Sequence, residues 1–125
     1  MTRLKNLFLL CRDLAATADF YQSVLGLEPV RHGSRSVELS LGEVQLHLHS
    51  LLSDEERSRY GLENPLPGPR PGVVVSLRVE PGLLHRVQAC APLRCGPLVA
   101  PWGDRLVVLE DPEGNLLELA CPADG

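Results

Sequence analysis

Residues 101–121, PWGDRLVVLEDPEGNLLELAC, decide how this chain is read. Residues 106–110 are apolar and β-rich, Asp111-Pro112-Glu113-Gly114 has the composition of a turn, and residues 116–120 read as a second strand. Pro112 arrives with φ already set for the second turn position. Gly114 can take the positive φ that closes such a hairpin. The second strand carries one carboxylate, Glu118, between Leu117 and Leu119. A charge in so apolar a strand is either solvated on an open face or placed for chemistry.

Outward from this hairpin, the chain reads as two similar halves. In the first, residues 4–10 form a strand, and Asp13 caps a helix whose Leu14, Ala18, Tyr21 and Leu25 fall at helical spacing. Gly26 ends that helix. Residues 27–31 form a short strand. Residues 35–41 alternate polar with apolar, Gly42-Glu43 turns the chain, and residues 44–49 alternate again. Ser53 is the expected N-cap of one or two helical turns, with Glu55, Glu56 and Arg57 on a solvated face. Residues 64–72 hold four prolines and two glycines and are read as a linker. The second half repeats the outline with a strand at 73–79, a helix at 81–89, an edge strand within 93–101, and the hairpin. The organisation expected is one domain over 1–125, with module one at 1–52, a connector at 53–71 and module two at 72–125.

Alternation assigns the faces, because residues i, i+2 and i+4 of a strand point the same way. The fully apolar faces belong against the helices. The mixed faces collect Asn6, Phe8, Gln45, His47, His49, Ser76, Arg78 and Glu118, apolar walls with a few polar groups, as a small-molecule pocket requires. Arg78 is a candidate ion-pair partner for Glu118, a pairing that would lower the carboxyl's pKa. Trp102, in a Pro-Trp-Gly corner, is set either to stack on a flat ligand or to fill the core. Phe20 and Tyr21 are expected in the core. His32, in a turn region, and His85, on a surface helix, are assigned no role.

Composition narrows the function classes. A net charge of −4 over 125 residues, with no basic block, argues against nucleic acid as a partner. No apolar stretch is long enough for a transmembrane helix. The N-terminal patch lacks a signal-peptide cleavage region, which leads us to expect a cytoplasmic protein. Cys11, Cys90, Cys95 and Cys121 match no zinc spacing and are expected to be small buried hydrophobes in a reducing compartment.

The DPEGN turn followed by a glutamate-bearing strand resembles the C-terminal hairpin of the vicinal oxygen chelate superfamily, which includes glyoxalase I, bleomycin-resistance proteins and extradiol dioxygenases. Arg12-Asp13-Leu14, Phe20-Tyr21 and Leu25-Gly26-Leu27 are similar to that family's N-terminal signature. The two pieces lie at opposite ends, so the resemblance spans nearly the whole chain. It implies an α+β, glyoxalase-like fold in which two βαβββ modules form a curved, cup-shaped mixed sheet. The modules pair within one chain or between two, and a homodimer is expected.

The resemblance also implies where a metal would sit, with one residue from each of four strands. Those positions here are Asn6 and Val74, where histidines are usual, together with His47 and Glu118. Gln45 and His49 are alternatives to His47, one inward position either way. A facial triad for iron needs two imidazoles beside the carboxylate, so the donor set speaks against a dioxygenase. The favoured function is a binding protein with a degraded metal site that holds or sequesters a drug or metabolite. Its contacts are Phe8, His47, His49, Ser76, Arg78 and Trp102, with Tyr60 as a further one, and no cofactor is required. The alternative is a glyoxalase-type lyase or isomerase. There His47 and Glu118 hold a divalent metal (nickel, zinc, manganese or iron), and Glu118 is a ligand or the catalytic base. A third reading uses Glu118 alone as a metal-free base.

Overall fold

In the computed structural model, residues 1–70 and 72–123 are described. Pro71, within the expected linker, and Asp124 and Gly125, at the end of the expected second module, lie outside the described residues. The backbone divides into two compact units, Met1–Pro67 and Gly68–Gly125.

The first unit runs β1 (Asn6–Cys11), α1 (Leu14–Ser23), β2 (Pro29–His32), β3 (Ser36–Leu41), β4 (Val44–Ser50) and α2 (Asp54–Tyr60). The Asp13 side chain accepts a hydrogen bond from the Ala16 N–H at 3.0 Å and so starts α1 as a cap should. The helix stops two residues short of Leu25. Gly26, at φ 71°, turns the chain, and the Leu27 N–H donates to the Tyr21 carbonyl at 3.0 Å. The strands pair in the order β1-β4-β3-β2, β1 parallel to β4 and the other pairs antiparallel. A parallel first pair requires the crossover that α1 provides.

Registry then explains the core. Leu46 and Leu48 of β4 face Leu7 and Leu9 on one side and Leu39 and Val37 on the other. Leu39, Leu46, Leu48 and Tyr21 are almost wholly buried on this apolar face, against which α1 packs. Tyr21 is core, as expected, whereas Phe20 beside it is only half-buried.

The second unit runs β5 (Val74–Arg78), α3 (Pro81–Cys90), β6 (Cys95–Val99), β7 (Asp104–Glu110) and β8 (Leu116–Pro122), with strand order β5-β8-β7-β6. Again the first pair is parallel and the rest antiparallel. Leu117, Leu119, Val107, Leu109, Leu84 and Val87 are buried where α3 meets the sheet. Both units are therefore βαβββ-like, and both sheets are open and mixed.

The DPEGN turn is a hydrogen-bonded junction. The Gly114 N–H donates to the Asp111 carbonyl at 3.0 Å, and Gly114 has φ 87°. Asp111 is buried. Its carboxylate accepts from the N–H groups of Glu113 and Asn115 and from the Asn115 amide, at 2.8–2.9 Å. Arg70 reaches in from the linker to Asn115 and Glu113, each at 3.2 Å, and its own N–H donates to the Gly114 carbonyl at 3.0 Å. The motif thus anchors residues 68–70 to the hairpin.

The cysteines divide. Cys11 and Cys121 are buried as expected, but Cys90 and Cys95 are exposed, and all four are free thiols. Cys90 ends α3 on its outer side and Cys95 lies on a strand whose residues are all exposed, so neither can reach the core.

Candidate functional site

On the first unit's mixed face, pairing of β1 with β4 sets Phe8 beside His47 and Leu10 beside His49. The aromatic rings form a cluster. Phe8 lies 4.9 Å from His47 and 5.7 Å from His49, nearly parallel to the latter at 28°, and the two imidazoles are 6.2 Å apart. His49 Nδ1 is 2.6 Å from the Ser50 carbonyl oxygen. A carbonyl accepts only, so Nδ1 carries the proton and the neutral ring is left with Nε2 as an acceptor. His47 Nδ1 faces Glu38 at 3.6 Å, while its Nε2 is closed off from solvent and has no hydrogen-bond partner.

The segment after β4 folds back toward these rings. Ser53 and Glu56 form a reciprocal capping box at the start of α2, and Gly61 ends the helix in the left-handed conformation. Asn64 clamps Leu52 through two hydrogen bonds, of 2.7 and 2.9 Å, and Arg12 donates to the Pro65 carbonyl at 2.6 Å. Arg35 grips Glu56 with both terminal nitrogens, at 3.0 and 2.7 Å. That grip, followed by hydrogen bonding from Ser53, lowers the Glu56 pKa to about 2. Glu56 is therefore tied to Arg35 at the face where solvated charge was expected.

Between the mixed face and this segment lies a cleft of about 490 Å³, lined by Phe8, His49, Leu52, Glu56, Tyr60 and Leu62. Phe8, Tyr60 and Leu62 are 43%, 59% and 46% exposed, which is unusual for large apolar side chains gathered at one concavity.

The second unit's mixed face holds the remaining candidates in two pairings. Glu118 accepts a hydrogen bond from the Ser76 hydroxyl at 2.8 Å. Arg78 does not pair with Glu118. It makes a two-point contact with Asp104, at 2.9 and 3.3 Å, and the Trp102 indole N–H donates to the same carboxylate at 3.1 Å. The hydrogen bond from Arg78 is the main cause holding the Asp104 carboxyl below its ordinary pKa. Trp102 is 69% exposed and so does not fill the core. The preference for Asp104 is geometric, since two parallel bonds to one guanidinium need an opposed carboxylate.

Two residues were missed from the sequence although signals for them existed. Glu38 lies on the same face as His47 by strict alternation in β3, once β3 is paired with β4. Asp104 belongs to β7, which starts two residues earlier than its apolar run suggests.

At the positions where the resemblance would put a metal, the donor set does not fit a catalytic one. Val74 offers no donor and Asn6 only an amide, against the three protein ligands such sites usually supply. Among the described residues, no group of three or more His, Cys, Asp or Glu side chains is arranged to hold a metal ion. No helix among them is long and apolar enough to cross a membrane.

The family model for the Glyoxalase/Bleomycin resistance protein/Dioxygenase superfamily matches residues 3–119, and the chain belongs to that superfamily. Solved structures agree on the fold. A glyoxalase/bleomycin resistance protein/dioxygenase from Nocardioides is 21% identical with a TM-score of 0.76, over 100% of this chain and 86% of that one. A protein of unknown function from Agrobacterium tumefaciens str. C58 is 18% identical with a TM-score of 0.78, over 96% and 94%. A lactoylglutathione lyase from Agrobacterium tumefaciens is 21% identical with a TM-score of 0.70, over 96% and 93%.

Proposed function

We propose that this protein is a small-molecule-binding member of its superfamily, and that it takes a flat, largely apolar ligand in the cleft of the first unit. The observation that carries this reading is the exposed ring of Phe8, stacked on His49 and facing a cleft of about 490 Å³ rimmed by Tyr60 and Leu62. The size lies within the range of ligand pockets, roughly 300–1,000 Å³. His49 adds an acceptor nitrogen, and Glu56 a carboxylate already neutralised by Arg35. Together they favour a ligand with one N–H or O–H donor over an anion. In the same reading His47 supports the Phe8 ring from beside it. Ser76, Arg78, Trp102 and Glu118 offer a second set of contacts, and the protein acts as a homodimer.

The test is a fragment screen with planar heteroaromatic compounds, followed by amide chemical shifts in the whole chain. Binders should move the signals of His49, Tyr60 and Leu62. Phe8→Ala should weaken binding by roughly threefold to tenfold, the worth of an aromatic contact beyond its buried area. Fragments that leave these signals still, or bind Phe8→Ala equally well, would refute the assignment. Near-stoichiometric nickel, zinc, manganese or iron in the purified protein, lost in Glu118→Gln, would replace it with a glyoxalase-type lyase.

A further inference from the structure

A separate cleft, of about 240 Å³, opens on the helix side of the second unit, where β8 runs out. Pro81, His85 and Gln88 line it from α3, and their spacing puts them on one stripe of the helix. Arg105 and Cys121 line it from the sheet. They are cross-strand partners and therefore share a face. Cys121 is 3% exposed, whereas Arg105 and His85 are exposed.

The charges here are unusual for this chain. It carries 16 acidic side chains against 12 basic ones. Arg35, Arg57, Arg59, Arg70, Arg78 and Arg94 each hold a carboxylate within 3.2 Å. Arg105 holds none. Among the described residues its side chain makes no hydrogen bond or ion pair, and the same is true of the side chains of His85 and Gln88. No Asp or Glu is among the described residues that line the cleft. A concavity therefore gathers a free guanidinium, a free amide and a free imidazole, each able to donate, with no negative charge among the described lining residues to answer them.

We infer that this cleft binds the oxyanion of a small molecule, a carboxylate or a phosphate group. A guanidinium presents parallel N–H bonds that match either group at two points. Gln88 and His85 supply further donors from the helix stripe, and the Cys121 thiol adds a weak one. The volume falls below the usual range of ligand pockets, which suits a molecule of few heavy atoms or a single headgroup. The inference does not rest on the aromatic cleft of the first unit, and either can fail without the other.

The experiment titrates the whole chain with sodium phosphate and, separately, sodium acetate, at ionic strength held constant with chloride. It follows the side-chain signals of Arg105 Nε and Gln88 Nε2 and the amides of residues 84–88. Saturable shifts with a Kd on the order of 1 mM are expected for at least one oxyanion and none for chloride. Saturation by phosphate alone assigns a phosphate group; saturation by acetate assigns a carboxylate. Arg105→Gln should weaken binding by roughly tenfold to a hundredfold, the worth of a hydrogen bond to a charged group. Arg86→Gln, on the same helix but outside the cleft, should leave it unchanged. Shifts that stay linear, that chloride reproduces, or that persist in Arg105→Gln would overturn the inference.

Discussion

Replacing Gly114 with alanine should destabilise the second unit strongly, for two separate reasons. Gly114 has φ +87°, where an L-residue pays roughly 1–2 kcal/mol. A Cβ there would also lie 2.5 Å from the Gly68 carbonyl oxygen and 2.9 Å from its carbon. Those are backbone atoms and cannot swing aside as a side chain can. Relief requires the linker to move off the hairpin, which breaks the Arg70 N–H bond to the Gly114 carbonyl, worth about 1 kcal/mol. The sum is roughly 2–3 kcal/mol, or a fall in melting temperature of about 10 °C for a chain of this size. Thermal unfolding followed by far-UV circular dichroism measures it, with urea unfolding as a second probe. Gly82→Ala is the matched control. Gly82 sits in α3, and a Cβ there meets nothing within 4 Å. Its melting temperature should be unchanged or slightly higher. A Gly114→Ala melting temperature within about 2 °C of the parent would refute the claim that glycine is required by both conformation and contact.

Asp111→Ala should cost about 3 kcal/mol in urea unfolding, because it strands the donors of Glu113 and Asn115 in a buried turn. The Glu56 carboxyl should titrate near 2 by carbon-detected NMR, and Arg35→Gln should move it up toward its ordinary 4.5. Since folding depresses this pKa, the contribution of Glu56 to stability is complete above about 4.5 and is lost as pH falls from there toward 2; an unshifted Glu56 would contradict the bidentate contact. Arg78→Ala leaves Asp104 holding only the indole of Trp102, so Trp102 fluorescence anisotropy should fall as the ring gains freedom. Unchanged anisotropy would show that the ring is held by something else.

Much of the fold was legible because periodicity is local. The alternation of residues 35–41 and 44–49, the cap at Asp13, the capping residue at Ser53 and the turn at Gly114 each depend on a few neighbouring residues. Each appears in the structure within a residue or two of its expected place. The same alternation placed Phe8, His47 and His49 on one face. It also contained Glu38, which is visible only once β3 is laid against β4.

What depended on the tertiary structure was partnership. The sequence alone determined that Arg78 and Glu118 belong to the mixed face of one sheet. Only the folded sheet decided that Arg78 joins Asp104 and that Glu118 takes the Ser76 hydroxyl. Likewise, composition marked residues 64–72 as a linker. It could not show that Asn64 clamps Leu52, or that Tyr60 and Leu62 come to face Phe8 across a cleft. Backbone conformation follows from steric and hydrogen-bonding preferences carried by each short stretch of chain. A side chain's partner is whatever group of opposite character the fold brings within about 3 Å, and residues 26 or 42 positions apart leave no local trace of that meeting.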